Sequence, residues 1–93
     1  MQDLTLIRSS ELFNESWYLA NNPDVAQKQV DPALHYIQYG GFEGRDPGPE
    51  FYSYGYLDTY PDVRAAGMNP LVHYLQYGKR EGRVKFTRPQ SNE

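Results

Sequence analysis

The chain has 93 residues, enough for one small domain and too few for two. With no cysteine and two histidines it excludes disulfides, thiolate metal sites and a histidine-rich zinc cage. The net charge of −3 joins an acidic body to a basic end: residues 1–78 carry four basic and ten acidic side chains (−6), whereas 79–88 carry Lys79, Arg80, Arg83, Lys85 and Arg88 against Glu81 alone (+4).

Hydrophobic content is modest at 39%, and aromatic content is high at 15%, with nine Tyr, four Phe and one Trp. A tyrosine-built core buries much apolar area, but each hydroxyl needs a partner or water. The expectation is half-buried rings with their hydroxyls at the surface. No segment approaches the roughly 20 apolar residues of a membrane span. The first ten residues lack a basic stretch followed by an apolar run, so no leader is read there. The expected location is cytoplasmic, with peripheral contact at an anionic surface such as the inner membrane left open by the basic end.

In chain order, Leu4, Ile7, Glu11 and Leu12 predict a short amphipathic helix within 1–12 that caps the rest of the chain. From Phe13 the sequence repeats itself. Residues 13–45 align with 51–83 without a gap, at an offset of 38 (51 − 13). Identities include Phe13/Phe51, Tyr18/Tyr56, Pro23/Pro61, Asp24/Asp62, Val25/Val63, His35/His73, Tyr36/Tyr74, Gly40/Gly78, Glu43/Glu81, Gly44/Gly82 and Arg45/Arg83. The predicted architecture is all-α: two tandem units of about 38 residues, built from short helices packed into one small domain. Its divisions are a helix in 1–12, a first unit with linker in 13–50, a second unit in 51–83, and a basic, disordered tail in 84–93.

Within the first unit, Asn14 is placed to cap a helix over 15–21. Asn22 is the cap of a new turn that starts at Pro23, since the residue before proline disfavours helical geometry. In the second unit Ser53 is the better cap for the matching helix, which Gly55 weakens. Asp31-Pro32 and Asn69-Pro70 are cap-plus-proline starts for helices over 33–39 and 71–77, with Gly40 and Gly78 as their C-terminal stops. Gly44 and Gly82 suit tight turns with positive φ. Asp46-Pro47-Gly48-Pro49 links the units.

These strings also carry a resemblance. Phe13-x-x-x-Trp17-Tyr18-Leu19-x-x-Asn22-Pro23-Asp24-Val25, then Asp31-Pro32-x-x-His35-Tyr36, then Gly40-x-x-Glu43-Gly44-Arg45-Asp46-Pro47, is similar to a bacterial tandem helical repeat. That repeat is found beside glycosyltransferase and rhamnan-synthesis-type domains, and in large secreted calcium-binding repeat proteins. The likeness covers 9–83. It implies an accessory module without the catalytic activity of its neighbours, and it supplies no site residues.

The residues offer little for catalysis. His35 with Glu43, and His73 with Glu81, are the best general-base pairs available. Both pairs recur together with the turn glycines, which marks His35 and His73, like Arg45, Gly40 and Gly78, as parts of the fold. Glu43/Arg45 and Glu81/Arg83 invite a salt-bridge reading, worth only about 0–1 kcal/mol if exposed; a clamp of Arg45 on helix C-terminal carbonyls is the favoured expectation. Gly40-Gly41-x-x-Gly44 follows a helix and not a strand, so it is no dinucleotide loop. Asp24, Asp31 and Asp46 lack calcium-loop spacing. No metal, cofactor or nucleic acid is expected.

Function is sought where the units differ. Trp17, Phe42, Tyr52, Tyr54 and Tyr60 face Gly55, Arg80, Asn14, Ser16 and Asn22 at the matched positions. If exposed, these five rings form an aromatic patch for protein contact or for stacking on sugars; if buried, they pack the two units together. The expected function is a non-catalytic interaction and assembly module docking onto a larger protein or complex, accessory to a bacterial surface-polysaccharide system. The alternative is a carbohydrate-binding module.

Overall fold

The computed structural model describes residues 2–89, of which 58% are helical. Seven short α-helices succeed one another: α1 (Gln2–Ser9), α2 (Glu15–Asn21), α3 (Pro23–Lys28), α4 (Pro32–His35), α5 (Ser53–Thr59), α6 (Pro61–Ala65) and α7 (Pro70–His73). α4 and α7 run directly into π turns, Tyr36–Gly40 and Tyr74–Gly78. Among the described residues no strand forms beyond an isolated bridge between Gly48 and Phe51.

Side-chain caps start three of the seven helices. The Asn14 side chain accepts from Trp17 N at 3.0 Å and starts α2. Asp31 Oδ1 accepts from Ala33 N (3.0 Å) and Leu34 N (3.4 Å), and Asn69 Oδ1 accepts from Leu71 N (2.9 Å) and Val72 N (3.1 Å). Two expected caps are corrected. The buried Asn22 side chain does not cap α3: its Nδ2 donates to Tyr18 O at 2.8 Å and its Oδ1 accepts from Arg45. Ser53 is the first residue of α5 and not its cap. Its N–H is met from a distance by Asp46 Oδ1 at 2.9 Å, a buried carboxylate from the linker.

The core is a cluster of rings. Tyr18, Tyr36 and Tyr56 are fully buried, with Phe13, Phe51 and Tyr74 packed on them edge-on or tilted. The expectation of surface hydroxyls fails for these three. Tyr18 OH pairs with His35 Nδ1 at 2.8 Å, Tyr56 OH with His73 Nδ1 at 2.8 Å, and Tyr36 OH with Ser53 Oγ at 2.7 Å. Partners supplied inside the fold remove the need for water.

Gly40 and Gly78 are not helix stops either. They lie at the ends of the π turns, and the residues after them keep right-handed helical backbone. What demands glycine is space: a Cβ on Gly40 would overlap Tyr18 OH, and one on Gly78 would overlap Tyr56 OH. Gly44 (φ +88°) and Gly82 (φ +78°) do take the expected left-handed geometry.

α1 is shorter than the 1–12 expected. It ends at Ser9, and Ser10 Oγ accepts from Leu12 N at 3.0 Å, which turns Glu11 and Leu12 out of the helix. α1 packs on both α4 and α7, with Ile7 fully buried, and Arg8 pairs with Asp31. Residues 84–89 are not a free tail. Phe86 O accepts from Tyr52 N at 2.6 Å, Tyr60 OH accepts from Val84 N at 2.9 Å, and Arg88 Nε donates to Asp46 Oδ2 at 2.8 Å. Residues 90–93 of the predicted tail lie outside the described residues.

Gln29, at the end of α3, holds φ +58°, whereas the matched position is Gly67 at φ +70°. A left-handed backbone costs a non-glycine residue about 1–2 kcal/mol. Gln29→Gly should therefore raise unfolding stability by about 1 kcal/mol in urea. Gly40→Ala, by overpacking Tyr18, should lower it by about 1–3 kcal/mol.

Candidate functional site

The residues shared by both segments converge on two like-built networks. In each, the buried tyrosine hydroxyl meets a histidine from the last turn of α4 or α7. Beside it an arginine grips the first turn of α3 or α6. Arg45 holds Asp24 through two bonds of 2.9 Å, Glu43 at 2.9 Å and Asn22 Oδ1 at 3.0 Å. Arg83 holds Asp62 at 3.0 and 2.9 Å and Glu81 at 2.8 Å. The clamp was expected on helix C-terminal carbonyls. Its partners are carboxylates instead, because bidentate geometry matches the planar guanidinium.

The electrostatics arise from this packing. Burial pushes the Tyr18, Tyr36 and Tyr56 hydroxyls far above the ordinary phenol range. Burial, reinforced by Arg45 or Arg83, holds His35 and His73 below the usual imidazole value. The Arg45 hydrogen bonds hold Asp24 at about 2, and Arg83 likewise lowers Asp62. The His35–Glu43 and His73–Glu81 pairs considered for general-base chemistry are not assembled: each histidine bonds tyrosine and each glutamate bonds arginine. Among the described residues no group of three or more His, Asp or Glu side chains gathers as a metal site.

The five unmatched rings do not form a single patch. Phe42 and Tyr54 stand outward, at 39% and 52% exposure. Tyr52 lies 6.2 Å from Tyr54, ring to ring, and its other neighbour is the Arg88 guanidinium at 4.7 Å. Tyr60 is built into the body, against Tyr56 (4.9 Å) and Phe86, with Arg83 over its ring at 4.8 Å. Trp17 is half-buried and walls a separate groove of about 640 Å³, which Asn21, Arg45, Asp46, Glu50 and Arg88 also line. This groove joins α2, the linker and residues 87–89; Asp46, Glu50 and Asn21 were not singled out for it from the sequence.

The basic patch is largely neutralised from within. Arg83 is held by Asp62 and Glu81, Arg88 by Asp46, and Lys85 stands 4.0 Å from Glu50. Arg80 donates to Gln76 O, and Lys79 lies exposed at the end of the second π turn. Sequence alone placed five cations together; the fold brings the body's acids to three of them.

Against protein-family models, curated proteins and solved structures, the chain finds no match. Among the described residues no helix is long and apolar enough to cross a membrane.

The two pKa depressions define two pH windows. For the histidines the unfolded chain binds protons that the folded chain resists. Stability is then full above about pH 6.5 and falls as the pH drops below it. For Asp24 and Asp62 the stabilisation is present above the ordinary carboxylate value and is lost as pH falls below it, for Asp24 through about pH 2. Urea titrations from pH 8 to 2 should show both losses. Replacing His35 and His73 together by Gln should abolish the upper one and leave the lower. High salt should weaken the lower one, since these carboxylates are exposed.

Proposed function

We propose that the chain is a non-catalytic interaction and assembly module, built as two tandem units with α1 as a cap over them, that docks onto a larger protein or complex. The observation that supports this reading is the division of labour among side chains. The ionisable groups repeated in both units are spent inside the fold, His35 and His73 on tyrosines, Arg45 and Arg83 on carboxylates. The unmatched rings Phe42 and Tyr54 are left toward solvent, with Tyr52 half-buried beside Tyr54, and exposed aromatic side chains supply anchoring area to a partner. The resemblance to repeats beside glycosyltransferase and rhamnan-synthesis-type domains points to a bacterial surface-polysaccharide system as the setting, on the cytoplasmic side.

A second reading, carbohydrate binding, draws on the Trp17 groove. An indole wall beside planar polar side chains of balanced charge suits a sugar better than an apolar ligand. Trp17 is the one tryptophan of the chain, so its fluorescence reports on this groove directly.

The test places a photo-crosslinking residue at Phe42 or Tyr54 in living cells, with Ala66 as an exposed reference position. One protein captured in stoichiometric amount from the aromatic positions, and not from Ala66, is the expected result. Phe42→Ala with Tyr54→Ala should weaken that association at least about tenfold with little change in Tm. No capture, together with a saturable change in Trp17 fluorescence on adding polysaccharide, would transfer the assignment to the groove.

A further inference from the structure

The two segments meet at a junction whose chemistry is asymmetric. Asn69, 5% exposed at the start of α7, uses its Oδ1 to cap its own helix and turns its Nδ2 back onto the first π turn. There it donates to Tyr36 O at 3.0 Å, with Ile37 O at 3.5 Å. Tyr36 O also accepts from Gly41 N at 2.9 Å, so the asparagine amide is a second donor to that carbonyl, reaching it from the other segment. The side-chain amide therefore ties two helix ends together. Two more bonds cross the same junction, Tyr36 OH to Ser53 Oγ and Ser53 N to Asp46 Oδ1.

Close approach is possible because position 41 has no side chain. A Cβ on the buried Gly41 would overlap Asn69 Nδ2 and stand 3.0 Å from Pro70 Cδ. Asn69 can yield only by giving up these bonds, since both ends of its amide are engaged. The backbone of residue 41 is ordinary right-handed helix (φ −61°), so glycine is there for space and not for conformation.

The second segment ends in the same π turn, with Tyr74 and Leu75 where Tyr36 and Ile37 stand. At the position matching Gly41 it has Lys79, exposed and at φ −59°. Among the described residues no helix start covers the matched face: Tyr74, Leu75 and Lys79 edge a groove of about 540 Å³ whose other side is Lys85 and the end of α1 with the turn after it, Leu6 to Leu12. Asp46, which met Ser53, is matched by Val84 (52% exposed), which cannot accept a hydrogen bond through its side chain.

We propose that position 41 is the coupling position of this unit: glycine there makes a π-turn face that receives the Asn–Pro helix start of a following unit, and Lys79 makes the second face refuse one. The inference rests on the two-unit reading and names the chemistry of the docking partner, a further copy of the same unit. Lys79 carries the first carbon that a docked asparagine would strike.

The test extends the chain. Residues 1–83 are joined directly to residues 46–93, so that a third unit brings its own Asp46, Ser53, Asn69 and tail. Two versions differ only at the middle Lys79, retained or changed by Lys79→Gly. With glycine, calorimetry should show one transition, and amide exchange should protect the third unit. With lysine, the third unit should melt separately, at least about 4 °C lower. Identical melting in the two versions, docked or undocked, overturns the assignment to Lys79. Gly41→Ala in the natural chain separates the two ideas. It should lower Tm by at least about 4 °C; no change there would overturn the junction itself, whereas a loss there with identical three-unit chains would overturn Lys79 alone.

Discussion

The buried tyrosine with a partnered hydroxyl is the interaction on which the remainder depends. Tyr18 and Tyr56 bring large rings to full burial in a chain too small for a sizeable aliphatic core. A ring of this size contributes apolar area that Leu or Val could not, but a hydroxyl left unpaired in the interior would cancel much of the gain, about 1–3 kcal/mol. His35 and His73 answer that cost at 2.8 Å. Several features then become requirements. The helix that carries each histidine must start at a fixed place, which Asp31-Pro32 and Asn69-Pro70 enforce. The residue five places after each histidine must be glycine, because the hydroxyl occupies the space of its Cβ.

The arginine networks are secondary in energy and primary in geometry. Their carboxylates are exposed, and exposed pairs contribute little individually, about 0–1 kcal/mol. Yet Arg45 joins the first turn of α3 to the turn after the first π turn, and through Asn22 it also touches the end of α2. It fixes where three short helices stand relative to one another. None of these helices would persist alone, since a helix of four to eight residues does not recover the cost of its first turn. What holds them is mutual placement around the rings.

The helix starts were legible in the sequence because capping is a local chemistry: Asn14, Asp31 and Asn69 act as their positions predict. What escaped was everything set by approach in space. Gly40 reads as a helix stop by composition, and only the Tyr18 hydroxyl reveals it as a gap. Asn22 reads as a cap until Tyr18 O and Arg45 claim its amide. Ser53 lost its cap role to Asp46, seven residues upstream and across the linker. Gln29 carried no signal, although Gly67 at the matched position was a hint available in the alignment. The basic run 79–88 read as a patch because charge along a sequence says nothing of the acids that fold against it.

The comparison of the two segments also separates what builds the fold from what distinguishes its surfaces. Most of the side chains on which they agree face inward or bind each other, as Tyr18, Tyr36, His35 and Arg45 do, whereas the matched Tyr39 and Tyr77 stand outward. Some differences fall in the core, Ala33 against Leu71 and Asn22 against Tyr60, and others at the solvent or at a junction: Trp17 against Gly55, Phe42 against Arg80, Gly41 against Lys79. Gly55 could not become Trp17 without moving Tyr52, whose ring already sits 2.6 Å from a Cβ placed there. The groove beside Trp17 is therefore a property of the first segment, completed by Asp46 and Arg88 from the linker and the C-terminal stretch. The two like segments thus present unequal faces, because each is packed on a different neighbour and its distinct residues answer to that neighbour.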